Sequence, residues 1–131
     1  MNRSSLVFSL IFAAAVATSA VQSGCVAVVA AGAGAGAVAY VRGELQGTFT
    51  GSLESSERAT NLALAQLQLV KINEKRDAFV SIITARTAED KKVEIKLTKL
   101  ANETTKAQIR VGVFGDEAKS LAILDKIKAN L

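Results

Sequence analysis

The chain has 131 residues, 50% of them hydrophobic and 21% charged, and its 16 Lys and Arg against 12 Asp and Glu give a formal net charge of +4. One cysteine and no histidine, tryptophan or proline are present, which removes the commonest metal ligand, the usual general base, any Ser-His or Cys-His nucleophile pair and any intrachain disulfide. The length suits one small domain, and the interspersed charges, with no basic block longer than two residues, lack the clustered Lys/Arg and aromatics of a nucleic-acid interface. No enzyme, cofactor, metal or nucleic-acid partner is therefore expected.

The chain opens with a short cationic start, Met1-Asn2-Arg3, followed by an uncharged and almost wholly apolar run over residues 6–20 and then by Ser23 and Gly24. This is the layout of a secretory signal, predicted over residues 1–24 as an apolar helix and cut between Gly24 and Cys25. Ser23-Gly24-Cys25 resembles the lipobox of bacterial lipoproteins. The resemblance implies that the Cys25 thiol carries a diacyl group, palmitate among its chains, and that the new amine is often acylated too. Each buried CH₂ contributes about 0.8 kcal/mol, so two or three chains anchor stably. Val26 rather than Asp after the cysteine looks like the outer-membrane sorting outcome of such lipoproteins, facing the periplasm. The alternative leaves Cys25 as a small hydrophobe within an uncleaved helical anchor of the inner membrane.

Residues 26–41 carry no charge and hold Gly32, Gly34 and Gly36. As a helix this segment is about 24 Å long, short of the roughly 30 Å hydrocarbon core. Residues 25–43 are read as lipid anchor and Gly/Ala-rich tether. The rival reading is a membrane-inserted oligomer, a glycine zipper, because Gly32 and Gly36 at Gly-x-x-x-Gly spacing let helices approach closely.

A domain is predicted over residues 44–131. Residues 44–50 alternate, with Leu45, Gly47 and Phe49 on one face of a strand. Ser52 or Ser55 caps a helix over 53–67, with Glu54 and Glu57 in its first turns and Ala59, Leu62, Ala63 and Leu67 as its apolar stripe. A short strand over 69–73, a charged turn over 74–77, a β-branched strand over 79–87 and a turn over 88–91 follow. Residues 92–98 form the clearest strand, Val93, Ile95 and Leu97 inward and Lys92, Glu94, Lys96 and Thr98 outward. After a loop over 100–105, residues 106–114 alternate again, with Ile109, Val111 and Val113 inward. Asp116 caps a last helix over 117–129, whose stripe is Ala118, Leu121, Leu124 and Ile127, with Leu131 beyond. Antiparallel strands with one wet face then give an α+β two-layer sandwich, a sheet of about five strands with two helices on one face in the order β-α-β-β-β-β-α.

The Gly24-Cys25 junction, the Gly/Ala run ending in Ala39-Tyr40-Val41-Arg42-Gly43-Glu44-Leu45, the Thr84-Ala85-Arg86-Thr87 turn and Arg110-Val111-Gly112-Val113-Phe114-Gly115-Asp116-Glu117 resemble a family of small bacterial envelope lipoproteins of unknown function. The layout also resembles, by fold analogy alone, the helix-on-sheet domains of outer-membrane assembly accessory lipoproteins. Neither implies catalytic residues. The adjacent acids Glu89-Asp90 and Asp116-Glu117 are expected in a solvated turn and at a helix start. Arg86 and Arg110, at the ends or wet face of strands, are the candidate partner contacts, because a guanidinium grips a phosphate, a carboxylate or a backbone. The expected function is that of a lipid-anchored envelope protein, held to the membrane by Cys25, whose domain binds an envelope protein partner.

Overall fold

The structure, a computed structural model, describes the backbone of Ala27–Val29 and residues 38–131 in full. The predicted leader, Gly24, Cys25, Gly32 and Gly36 lie outside the described residues. Among the described residues, seven strands and two helices follow in the order β1 (Ala27–Val29), β2 (Val38–Val41), β3 (Glu44–Thr50), α1 (Leu53–Gln66), β4 (Val70–Arg76), β5 (Val80–Arg86), β6 (Lys92–Ala101), β7 (Thr104–Val111) and α2 (Glu117–Ala129). They form one antiparallel sheet in the spatial order β1-β2-β3-β7-β6-β5-β4. The chain lays down one edge, crosses by α1 to the other edge, and returns strand by strand until β7 closes against β3. The result is the α+β sandwich that the alternating pattern predicts.

Alternation sets the core. Leu45 and Phe49 of β3, Ile83 and Ala85 of β5, Val93, Ile95 and Leu97 of β6 and Ala107, Ile109 and Val111 of β7 are buried on one face. Both helices cover it, with Leu53, Ala59, Ala63 and Leu64 of α1 and Ile123, Leu124 and Ile127 of α2 completing one cluster. Gly47 makes room for α2, because a Cβ there would lie 2.9 Å from Leu124 Cδ2. Ser52 Oγ accepts the Ser55 N–H at 3.1 Å and Asp116 Oδ1 accepts the Lys119 N–H at 3.0 Å, so each helix starts at a satisfied cap.

Several elements differ from their sequence-based outlines. The segment read as a tether is not helical at its ends: Ala27, Val28 and Val29 pair with Tyr40, Ala39 and Val38, and β2 adds to β3 through a two-residue turn in which Arg42 and Gly43 take φ of 51° and 81°. Those paired left-handed values suit the twist of a tight hairpin. The sheet thus begins N-terminal to Gly43. β4 runs on to Arg76 through the expected charged turn, and the expected loop over 100–105 is instead a hairpin, with Ala101 opposite Thr104.

The helix stripes hold at Ala59, Ala63, Leu124 and Ile127, with Leu67 and Leu121 packed against the core, and depart at Leu62 and Ala118. Leu62 is 53% exposed while Ser56, Thr60 and Leu64 are buried in α1, and in α2 Ser120 and Ile123 are buried while Ala118 is exposed. Small hydroxyl residues can face the sheet because Ser56 Oγ and Thr60 Oγ1 each donate to a carbonyl one turn back, at 2.7 Å. Val113 does not face inward, since β7 ends at Val111 and Val113 is 84% exposed.

Candidate partner-binding face

The pleat that buries one set of side chains sends the alternate set to the uncovered face of the sheet. Register then fixes the neighbours. Arg110 lies opposite Glu94 and Glu94 opposite Thr84; Gln108 lies between Gln46 and Lys96; Lys106 lies between Thr48 and Thr98; Lys92 lies opposite Arg86 and Ile82 opposite Lys75. Cations on this face are therefore Lys75, Arg86, Lys92, Lys96, Lys106 and Arg110, against the acids Glu44 and Glu94. Lys92 is paired with Glu94 at 2.7 Å, whereas Lys75, Lys96 and Lys106 form no ion pair among the described residues.

At the end of the face where β5 and β7 finish lies a shallow recess of about 890 Å³, and Arg86 and Arg110 both line it, together with Glu44, Glu94, Gly112, Val113 and Phe114. The Arg86 guanidinium bonds Asp90 Oδ1 at 2.6 Å. Arg110 donates to the Arg42 carbonyl at 3.3 Å. Glu44 Oε1 accepts from Gln46 at 3.0 Å and Gln108 at 2.8 Å, which fixes it on the sheet. The floor at Gly112 is bare, for a Cβ there would meet nothing within 4 Å.

The wall of the recess was not foreseen from periodicity. Gly112 and Gly115 take φ of 74° and 84°, and between these two reversals Val113 and Phe114 are pushed outward to 84% and 93% exposure. Gly115 can turn back only because its bare Cα packs against Gly43 O; a Cβ there would collide with the Gly43 backbone and with Tyr40 Oη. Two glycines bracketing an apolar pair were the signal in the sequence that could have revealed the projection.

The acidic pairs are otherwise engaged. The Lys119 ammonium, 2.7 Å from Glu89 Oε2, holds the Glu89 carboxyl below the usual carboxylate range, with Lys91 adding to the effect, and the same hydrogen bond raises Lys119. Asp90 holds Arg86 and Asp116 caps α2. This Glu89–Lys119 bridge borders a second recess of about 300 Å³ between the end of α1 and the start of α2, lined by Leu67, Leu69, Thr87 and Ala122. Among the described residues no group of three or more His, Cys, Asp or Glu is placed to hold a metal ion, and no helix is long and apolar enough to cross a membrane.

A comparison with curated proteins gives no match. Residues 6–130, which take in the apolar start, the seven strands and both helices, match the family described as "Protein of unknown function (DUF3568)", and the chain belongs to that family.

Proposed function

We propose that the protein is a bacterial envelope lipoprotein without catalytic activity, anchored in the outer membrane by acyl chains on Cys25, whose domain meets another envelope component through the uncovered face of its sheet. The anchor is supported by the cationic start, the apolar run over residues 6–20 and Ser23-Gly24-Cys25. The observation that carries the binding role is the Val113-Phe114 pair, 84% and 93% exposed beside a recess that brings Arg86 and Arg110 together. Large apolar side chains held clear of a core, next to cations, mark a contact surface.

The intact mass of the protein taken from membranes tests the anchor. The expected mass begins at Cys25 and includes two or three acyl chains, and Cys25→Ala abolishes both the added mass and membrane retention. A mass that still contains residues 1–24 without acyl chains, in protein that stays in the membrane, would overturn it.

A further inference from the structure

The uncovered face and its projecting tip have a chemistry that selects among envelope components. Its most exposed apolar side chains, Val113 and Phe114, sit at its rim, and Val80 and Ile82 lie toward the β4 edge, whereas its centre on β6 and β7 is Gln108, Lys96, Lys106 and Thr98. A protein interface has the reverse arrangement, an apolar centre depleted of charge within a polar rim. Cations outnumber acids across this face, while the acids of α1 and α2 (Glu54, Glu57, Glu117 and Asp125) are balanced by Arg58, Lys119, Lys126 and Lys128. The positive surplus of the domain is thus gathered on the sheet side.

Chain geometry adds a second argument. Ala27, the first residue of β1, lies opposite Tyr40, and Gly43, just past β2, has its backbone against Phe114 O. Cys25 precedes Ala27 by two residues, which reach no further than about 7 Å. An acyl anchor on Cys25 is therefore tied to the same end of the sheet from which Phe114 projects.

We infer that the component this face meets is the anionic lipid surface of the membrane that holds the anchor, Val113 and Phe114 dipping among the headgroups while Lys96, Lys106 and Arg110 lie against lipid phosphates. The inference rests on the reading of Cys25 as the anchor. Phenylalanine is among the apolar residues that interfacial segments bury at the boundary of headgroups and acyl chains, and cations near an anionic leaflet are attracted within a Debye length of about 10 Å at moderate salt. The anchor alone tethers the domain. The face and tip set its orientation.

The chain contains no tryptophan, so a single indole reports its own surroundings. Phe114→Trp in the acylated protein is reconstituted in phosphatidylcholine vesicles with and without phosphatidylglycerol, some of the lipid brominated along its acyl chains. Leu62→Trp, on the exposed side of α1, serves as the control position. With anionic lipid the Phe114→Trp emission shifts to the blue and is quenched by bromolipid, added salt reverses both effects, and Leu62→Trp stays unquenched. Each of Lys96→Glu and Lys106→Glu lowers the ratio of seated to lifted domain by about 30-fold at low ionic strength. Indoles equally exposed at both positions, quenching that ignores anionic lipid and salt, or a Phe114→Trp indole shielded only when envelope proteins are added would each sink the proposal. The intact mass of the same preparation keeps the two readings apart: acylated protein with an exposed indole overturns the seating alone, and protein without acyl chains overturns the anchor.

Discussion

Gly115 and Gly112 have nearly the same backbone angle and opposite surroundings. Both are left-handed, at φ of 84° and 74°, but a Cβ on Gly115 would strike the Gly43 backbone and one on Gly112 would meet nothing within 4 Å. Gly112→Ala is expected to cost only the left-handed penalty, about 1–2 kcal/mol, and Gly115→Ala to cost that plus a backbone displacement, about 3 kcal/mol or more. Thermal melts of the two variants rank them directly. Asp77 is a second residue whose role is local. Its Oδ1 accepts the Phe79 and Val80 N–H groups, both at 2.8 Å, in the β4–β5 turn. The Phe79 bond first and the Val80 bond second lower its pKa. A carboxylate with a depressed folded pKa stabilises fully above its unfolded value of about 3.9 and loses that contribution as pH falls through the folded value. Asp77→Asn is therefore expected to lower the melting temperature near neutral pH and to flatten its fall in acid below about pH 4.

At the scale of elements, strands and helices were unequally legible in the sequence. α2 lies on the sheet through Leu124, seated over Gly47, so Leu124→Ala is expected to cost about 2–5 kcal/mol; Leu62→Ala, at a position 53% exposed, is expected to stay within about 0.5 kcal/mol. Denaturant midpoints of the pair check which helix positions face the sheet. Strand faces were readable because a period of two leaves no choice once Val93, Ile95 and Leu97 alternate with charge. Helix faces were readable in part: Ala59, Ala63, Leu124 and Ile127 are buried as their spacing predicts, but Ser56, Thr60 and Ser120 are buried too, while a count of apolar residues chooses Leu62 and Ala118 instead. β2 escaped notice because its hairpin turn is Arg42-Gly43 and not Asn-Gly, and α1 stops without a glycine. Gln68 takes the left-handed position at φ 57°, and the Leu69 N–H reaches Leu64 O at 2.8 Å. Of the candidate site, the outward position of Arg110 and the place of Arg86 at a strand end followed from alternation. The projection of Val113 and Phe114 came from glycine conformations that periodicity does not encode.

For the whole molecule, the sheet order decides which parts are held most firmly. β7 has β3 on one side and β6 on the other, while β4 is an edge whose seven residues are exposed or half-exposed. Amides of β7 are expected to exchange with deuterium only through global opening, and the outward amides of β4 to exchange faster by local fraying, as peptide-resolved mass spectrometry would show. The edge is guarded by Lys71, Lys75 and Arg76 and by an irregularity between Lys71 and Asn73, devices that discourage strand addition. Arg76 also reaches the nearly buried Glu57 carboxylate at 2.9 Å, joining this edge to α1.

The pairing of β3 with β7 bears on when the sheet can close. Thr50 finds its partner only in Thr104, and the Gly51 carbonyl accepts its hydrogen bond from Thr105 Oγ1, 54 residues further on. Contacts so distant in sequence close late, because the ends of a long loop must meet first. A nascent chain emerging from its N-terminus therefore cannot complete its sheet until its last strand has been made. Until then β3 lacks the neighbour that joins it to the rest of the sheet, and the two halves of the sheet come together only once β7 arrives.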